Sequence, residues 1–556
     1  MISEASPDFL WIALVICALF LGFKILRYGM RPKNFPPGPP TLPVLGNLHQ
    51  MPLKDFHLRF KEWADEYGPI VGLKAGGTNL ILINDPDVVK ALIEKRSGIY
   101  SARPDLFIRE FNNNLNIAFR DNDDTWRRQR KMYHLRLNVK VANQYVPYQE
   151  CYHHPREIAH HTNIIAKTFD STQLLNDLLD NPQNFSRHLQ RYTTSVASTV
   201  LYGWRTAEGG RGYVKDLMNW MDKTSEAANL QLIDFYPFLR SIYRFLPESL
   251  VPFKRKLREI KVIENRLFFD LLENAKEMIK NGKVYPSFIR DMLLSDDVDR
   301  LNEVEIANNA AHGFGAATDT QWNTSLGFIK AMILYPETQA EAHREIDRVI
   351  GSGRLPQWED RPNLPYVRAI IEESPRWIPT TLSAAVPHSN SRDDEYNGYF
   401  IPKGSSLMMN VWTLNNTNRT NPRIFDPSRH SAEATALESN GINPNSSARP
   451  HFTFGAGRGV CPGFHVAERG LFMAISKMLW AFKFERIPGS EKIVQDAVTP
   501  GFIVRPVDYK CAITPRDEKR VEIIRREWQQ AQESLDADEN FTEQFFQRAF
   551  VNNKKD

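Results

Sequence analysis

Apolar residues along this chain recur mostly at the spacing that lines one face of a helix. Segments 253–280, 303–335, 337–350, 367–373 and 467–482 carry that period and predict helices. Short β-rich runs at 70–74, 79–83 and 406–411 predict a few strands. The fold class is therefore mainly α with minor β. Two stretches break the pattern. Residues 9–23, FLWIALVICALFLGF, are uncharged throughout, and Ile25 and Leu26 extend the run past Lys24. Residues 150–173 contain CYHHPREIAHH, which has no clear period.

The first stretch has about the minimum length of a spanning helix, roughly 18 residues. Glu4 and Asp8 precede it, while Lys24, Arg27, Arg31 and Lys33 follow. That charge order fits an N-terminal anchor with the body of the protein in the cytosol, and it does not fit a cleaved signal peptide. The expected organisation is a lumenal N-terminus 1–8, a transmembrane anchor 9–26, a basic and proline-rich linker 27–40, one large domain 41–515 and a charged tail 516–556. Pro36, Pro37, Pro39 and Pro40 around Gly38 make the linker a stiff spacer. Segment 150–173 is expected to be a surface loop or an insert. Its histidines, His153, His154, His160 and His161, stand in adjacent pairs that split across a helix face, which argues against a metal site.

The formal net charge of +4 is too small to imply a nucleic acid partner. Four cysteines, Cys17, Cys151, Cys461 and Cys511, show no paired spacing, so neither a disulfide framework nor a structural zinc site is expected. No glycine-rich dinucleotide or triphosphate loop opens a strand–helix unit. Candidate chemistry centres on FGAGRGVCPG, residues 454–463. A thiolate is the metal-binding form of cysteine, and a position just before a helix N-terminus favours it. Pro462 suits the first helical turn. The surrounding glycines suit a sharply turning backbone or a flat ligand, and one thiolate without a second ligand suggests haem iron over zinc.

This run resembles the haem-binding motif F-x-x-G-x-R-x-C-x-G of the cytochrome P450 family, with Phe454, Gly457, Cys461 and Gly463 matching. The resemblance spans roughly residues 35–516 and is closest to fungal microsomal members. It implies haem b, iron protoporphyrin IX, with Cys461 as the axial ligand of its iron. AATDTQ, residues 316–321, resembles the motif of the family's long helix over the distal face of the haem. Ala316 would lie against the haem, and Asp319 and Thr320 would be the acid–alcohol pair that delivers protons. Glu373 and Arg376 match E-x-x-R and share a helix face; with Arg429 they would form a buried structural network. Trp126 and Arg130 match the W-x-x-x-R that holds a propionate, and His388 is a further propionate candidate. Arg127, Arg128 and Lys131 resemble the basic patch that docks an electron donor. Small β-sheets are expected at one side of the fold. By the same resemblance the substrate pocket draws on 101–121, 214–252, 378–386 and 500–503.

The implied activity is a monooxygenase that inserts one oxygen atom from O₂ into a lipophilic small molecule, in secondary metabolism. Its partners would be NADPH–cytochrome P450 reductase and the endoplasmic reticulum membrane, with a single pass and the catalytic domain facing the cytosol. The motif's arginine, however, is Gly459 here, and Pro375 falls within a predicted helix. Those departures point to weaker haem binding and to a catalytically impaired member as the alternative. A haem-binding sensor or carrier is a third reading, which the Asp319–Thr320 pair disfavours.

Overall fold

In the computed structural model, residues 7–546 are described apart from 53, 111–113, 139–168, 208–211, 228–231, 284, 296–300, 384–385, 431–448 and 502, and apart from some side chains of the first helix. The helices used below are α1 (Pro7–Arg27), α2 (Asp124–Arg136), α3 (Phe169–Asp180), α4 (Phe185–Tyr202), α5 (Gly212–Ala227), α6 (Pro252–Lys280), α7 (Glu303–Leu334), α8 (Pro336–Val349), α9 (Pro365–Trp377), α10 (Phe464–Ala481) and α11 (Glu518–Gln532). The strands are β1 (Ile70–Ala75), β2 (Thr78–Ile83), β3 (His388–Ser389), β4 (Ser406–Met409), β5 (Phe482–Glu485) and β6 (Ala512–Pro515). Every helix and strand expected from periodicity is present. The strand expected over 406–411 stops at Met409, because Asn410 leads into a short helix, Val411–Asn416.

The main sheet runs β1-β2-β4-β3. β1 pairs antiparallel with β2, β2 parallel with β4 from Leu80 opposite Ser406, and β3 antiparallel with β4 through His388 opposite Leu407. β5 and β6 form a second, two-stranded ribbon. The sheet packs on its own small core of Ile81, Ile83, Leu407 and Met409. Two larger apolar clusters fill the helical body, one around α4, α5, α6 and the first half of α7, the other around its second half with α9 and α10.

α7 is the axis of the molecule. Asn302 caps it through a reciprocal box with Glu305. Glu305 also receives Arg128 of α2 at 2.7 and 3.1 Å. Arg128 therefore ties α2 to α7, which corrects its assignment to a docking patch. Gly313 and Gly315 let neighbours approach: a Cβ on Gly313 would lie 3.2 Å from the Tyr133 hydroxyl, and one on Gly315 2.8 Å from the Trp220 ring. Gly315 thus makes room for α5, while Gly313 makes room for α2 and also lines the cavity described below.

α9 is longer than the periodicity of 367–373 suggests. It continues through Pro375 to Trp377, with Pro375 in the last turn, where few hydrogen bonds remain to be lost. The insert expected at 150–173 lies mostly outside the described residues, but its last five residues open α3. Phe169 and Asp170 there are fully buried, and Asp170 pairs with Arg191 at 3.2 Å. The charged tail is partly a surface helix and partly core: Ile524 of α11 is fully buried, Arg520 meets Asp347 at 2.6 Å, and Phe541 packs against Phe169 with ring centroids 5.4 Å apart. Pairing of side chains across the junction, not composition, decides that.

The expected anchor is helical, as α1, and its described apolar side chains Trp11, Leu14, Ile16, Leu19 and Phe20 are all exposed. Among the described residues no helix is long and apolar enough to cross a membrane.

Candidate active site

α2, α7, α10 and the loop before α10 enclose a predominantly apolar cavity of about 380 Å³. Of the residues expected at the site, Trp126, Arg130, Ala316, Thr320, Phe454, Cys461 and Gly463 line it. Asp319, Gly457 and His388 do not.

Cys461 sits just ahead of α10, and its N–H donates to the Phe454 carbonyl at 2.9 Å, closing the loop into a compact turn. Its thiol is unpaired and faces the cavity. Burial pushes the thiol's pKa up; the N–H groups of Gly463 and Phe464 and the charge of Arg130 oppose this without overcoming it. The helix N-terminus alone thus does not hold a thiolate here. Gly457 has φ +61°, and a Cβ there would meet the Ile93 carbonyl oxygen at 2.3 Å. This glycine is required by its left-handed backbone and by the close approach of the helical segment Val89–Lys95, which corrects its expected place at the cofactor's edge. Gly463 is different, with nothing within 4 Å of a would-be Cβ.

Two guanidiniums face the cavity. Arg130 donates to the Val460 carbonyl, and Trp126 beside it donates through Nε1 to the Ile117 carbonyl at 3.2 Å. Arg103, which sequence reasoning did not single out, donates to the carbonyls of Val386 at 2.6 Å and Pro387 at 3.2 Å. Neither arginine forms an ion pair among the described residues. Burial lowers both, Arg103 to about 10, with Arg130's charge adding to its shift and Asp121 opposing it. Two enclosed cations without counter-ions, a free thiol and apolar walls fit a flat, anionic, thiolate-ligated group such as haem.

The missing arginine of the motif has a local explanation. A Cβ on Gly459 would lie 2.9 and 3.0 Å from the His388 ring and 3.6 Å from Arg103 Nη2. His388 thus fills the space behind Gly459. Its Nδ1 is 2.8 Å from the Tyr100 carbonyl, and burial, then Arg103, push its pKa down to about 3. A neutral ring behind the loop corrects its expected place as a lining residue.

On α7 the Thr320 hydroxyl donates to the Ala316 carbonyl at 2.7 Å. Asp319 does not line the cavity; burial raises it to about 6, Arg505 opposes this and Asp222 adds to it. Gln321, the next residue, packs onto Gly470 of α10, where its Oε1 would be 2.3 Å from a Cβ. Beneath the cysteine loop, Arg376 grips Glu373 at 2.6 and 2.8 Å, and both are fully buried. Arg429 reaches Glu373 only at 3.8 Å, while His430 comes to 2.8 Å and the Asp426 N–H to 2.9 Å. The close third partner is His430, one residue beyond the one expected, because the turn at 427–429 aims Arg429 at the Asn421 carbonyl, 3.0 Å away.

The sequence profile of the family described as Cytochrome P450 matches residues 36–513. The chain is 37% identical to the cytochrome P450 monooxygenase virE of Hypocrea virens over 94% of this chain and 92% of that one. It is 34% identical to fogE of Aspergillus ruber over 96% of both, and 34% identical to patI of Penicillium expansum over 93% of this chain and 95% of that one; both are cytochrome P450 monooxygenases. A solved zebra fish cytochrome P450 with progesterone superposes with a TM-score of 0.64 at 21% identity, covering 83% of this chain and 99% of that one. With this cavity and these relatives, the chain belongs to the cytochrome P450 family and is an oxygen-incorporating monooxygenase.

Proposed function

We propose that this monooxygenase uses haem b to oxidise a lipophilic small molecule of secondary metabolism, with electrons passed from NADPH by NADPH–cytochrome P450 reductase. The observation that carries the reading is the convergence on one apolar cavity of the free thiol of Cys461 with Arg103 and Arg130, cations that form no ion pair among the described residues. Cys461 would hold the haem iron, and Arg103, Arg130 and Trp126 its propionates. Bound there, haem supplies the activation of O₂ and the insertion of one oxygen atom. The protein's part is to exclude water with the cavity walls and to manage protons. Thr320 Oγ1 can turn from the Ala316 carbonyl toward the cavity. Asp319, the preceding residue, is raised to about 6, so it would exchange protons near neutral pH and would supply them toward that hydroxyl.

Gly459 motivates the second reading, an impaired member. The presence of Arg103 beside the vacated position supports a cationic edge that still functions. The reduced carbon monoxide difference spectrum decides: a red-shifted thiolate Soret band is expected, and purified protein without haem would refute the reading.

Anchoring by α1 to the endoplasmic reticulum, with the catalytic body in the cytosol, belongs to the same proposal. Its exposed apolar side chains and the basic Lys24 and Arg27 in its last turn support it. The protein is expected to resist alkaline carbonate extraction from membranes and to become extractable once residues 1–26 are removed; full extraction of the intact chain would refute anchoring.

A further inference from the structure

The wall of the cavity contributed by α7 carries a polar group with nothing to bond. His312 is 7% exposed and lines the cavity, and neither ring nitrogen makes a hydrogen bond. Aromatic neighbours clamp the ring: Phe268 edge-on at 5.2 Å and Trp220 tilted at 5.6 Å between centroids. The Trp220 N–H is already taken by Glu264 at 3.0 Å. Burial drives the His312 pKa down to about 4; the Asn308 carbonyl, one turn back, pulls weakly the other way without completing a hydrogen bond. The ring is therefore neutral at physiological pH, with one nitrogen donating and the other accepting. On α5, one turn beyond Trp220, Thr224 also lines the cavity with a buried, unpartnered Oγ1.

A buried polar group left unsatisfied is destabilising, and sites that keep one commonly satisfy it with ligand. Packing alone does not call for an imidazole here, since a leucine would fill an aromatic clamp without leaving polar atoms stranded. We propose that His312, seconded by Thr224, recognises a hydroxyl group of the substrate. A hydroxyl both donates and accepts, as a neutral imidazole does, whereas a carboxylate only accepts and an ammonium only donates. His312 precedes Thr320 by eight residues on α7, a rise of about 12 Å. The substrate class is thus a lipophilic alcohol or phenol that offers its hydroxyl to His312 while another part of it lies toward the Thr320 end, about two helical turns away. This rests on the monooxygenase reading.

The test uses the full haem-loaded protein and three probes, 4-phenylphenol, 4-methoxybiphenyl and biphenyl, with affinities from equilibrium dialysis. The reduced carbon monoxide spectrum is taken first, so that loss of the thiolate band refutes the monooxygenase reading separately. Expected is a preference for 4-phenylphenol over biphenyl that falls about tenfold in His312→Leu and is mostly kept in His312→Gln, which retains a donor and an acceptor. The preference for 4-phenylphenol over its methyl ether is expected to fall in parallel. Ligand-free His312→Leu is expected to melt above the wild type, which a histidine needed for structure would not do. Thr224→Val lowers the same preference to a lesser degree and carries the test if the leucine variant does not fold. A preference unchanged across all variants, with the thiolate band intact, overturns the proposal.

Discussion

Replacing Arg103 by methionine is expected to move the protein in opposite directions with and without haem. Without it, the guanidinium is enclosed, has only the carbonyls of Val386 and Pro387 to bond, and stands near a second cation, Arg130. Its pKa, pushed from 12.5 down to about 10, corresponds to at most ~3 kcal/mol of destabilisation at neutral pH. The cavity side of the group is open, so about 1–2 kcal/mol is the figure to expect. Methionine keeps the stem and removes the charge, and the haem-free variant should gain that much in urea unfolding. With haem bound, the same change removes one charge-assisted hydrogen bond, about 1.5–3 kcal/mol. Transfer of haem to excess apomyoglobin, followed at the Soret band, should then be roughly 10–150-fold faster. Gly459→Arg adds a second arm, made together with His388→Ala because its Cβ would fall 2.9 and 3.0 Å from the His388 ring as well as 3.6 Å from Arg103 Nη2. It should slow haem loss more in the methionine background than in the wild type, where a third guanidinium crowds the first two. A methionine variant that is less stable without haem and retains haem as long as the wild type refutes the reasoning.

Glu373→Gln strands the buried Arg376 and His430 and should cost about 3–5 kcal/mol, read as a lower melting temperature with haem loss at the same transition. The same carboxylate sets an acid limit. Burial pushes its pKa up, but hydrogen bonds from His430 and Arg376 outweigh this and hold it at about 2, below the ordinary 4.5. Its contribution, ~3 kcal/mol, is complete above pH 4.5 and is lost as pH falls toward 2. Urea unfolding between pH 6 and 3.5 should show a steeper acid limb in the wild type than in Glu373→Gln. In haem-free protein, Gly457→Ala should destabilise by about 2 kcal/mol or more through its left-handed backbone and the Ile93 carbonyl, while Gly463→Ala should be near neutral; equal melting temperatures for the two would contradict the geometry.

Periodicity located the long helices because their buried faces are continuous, and the cysteine loop was legible because several rare residue choices coincide within ten positions. What stayed hidden depends on approach in space. Gly457 looked like a cofactor glycine, yet it makes room for the Ile93 carbonyl, and Gly315 on α7 makes room for Trp220. Arg103 carries no local mark; only the absence of a counter-ion beside the cavity singles it out. His430 was one letter from the residue chosen, and a single tight turn decided which of the two side chains reached Glu373. His312 lies within a helix whose motif drew attention to residues one and two turns further on.

The seating of residues 534–546 against the start of α3 has a consequence for the order of events during synthesis. Asn540 Oδ1 accepts from the Arg205 N–H at 2.9 Å across 335 residues of chain, and Phe541 closes over Phe169. Contacts of such long range form late, after most loop-closure entropy has been spent. Until the ribosome releases its last residues, the Phe169 ring has only the Arg205 guanidinium over it, 4.5 Å from its centroid, and nascent chains carry an apolar surface open to chaperones or to one another. A chain ended at residue 513, where the family match stops, would leave Phe169 without Trp528 and Phe541 for its whole lifetime.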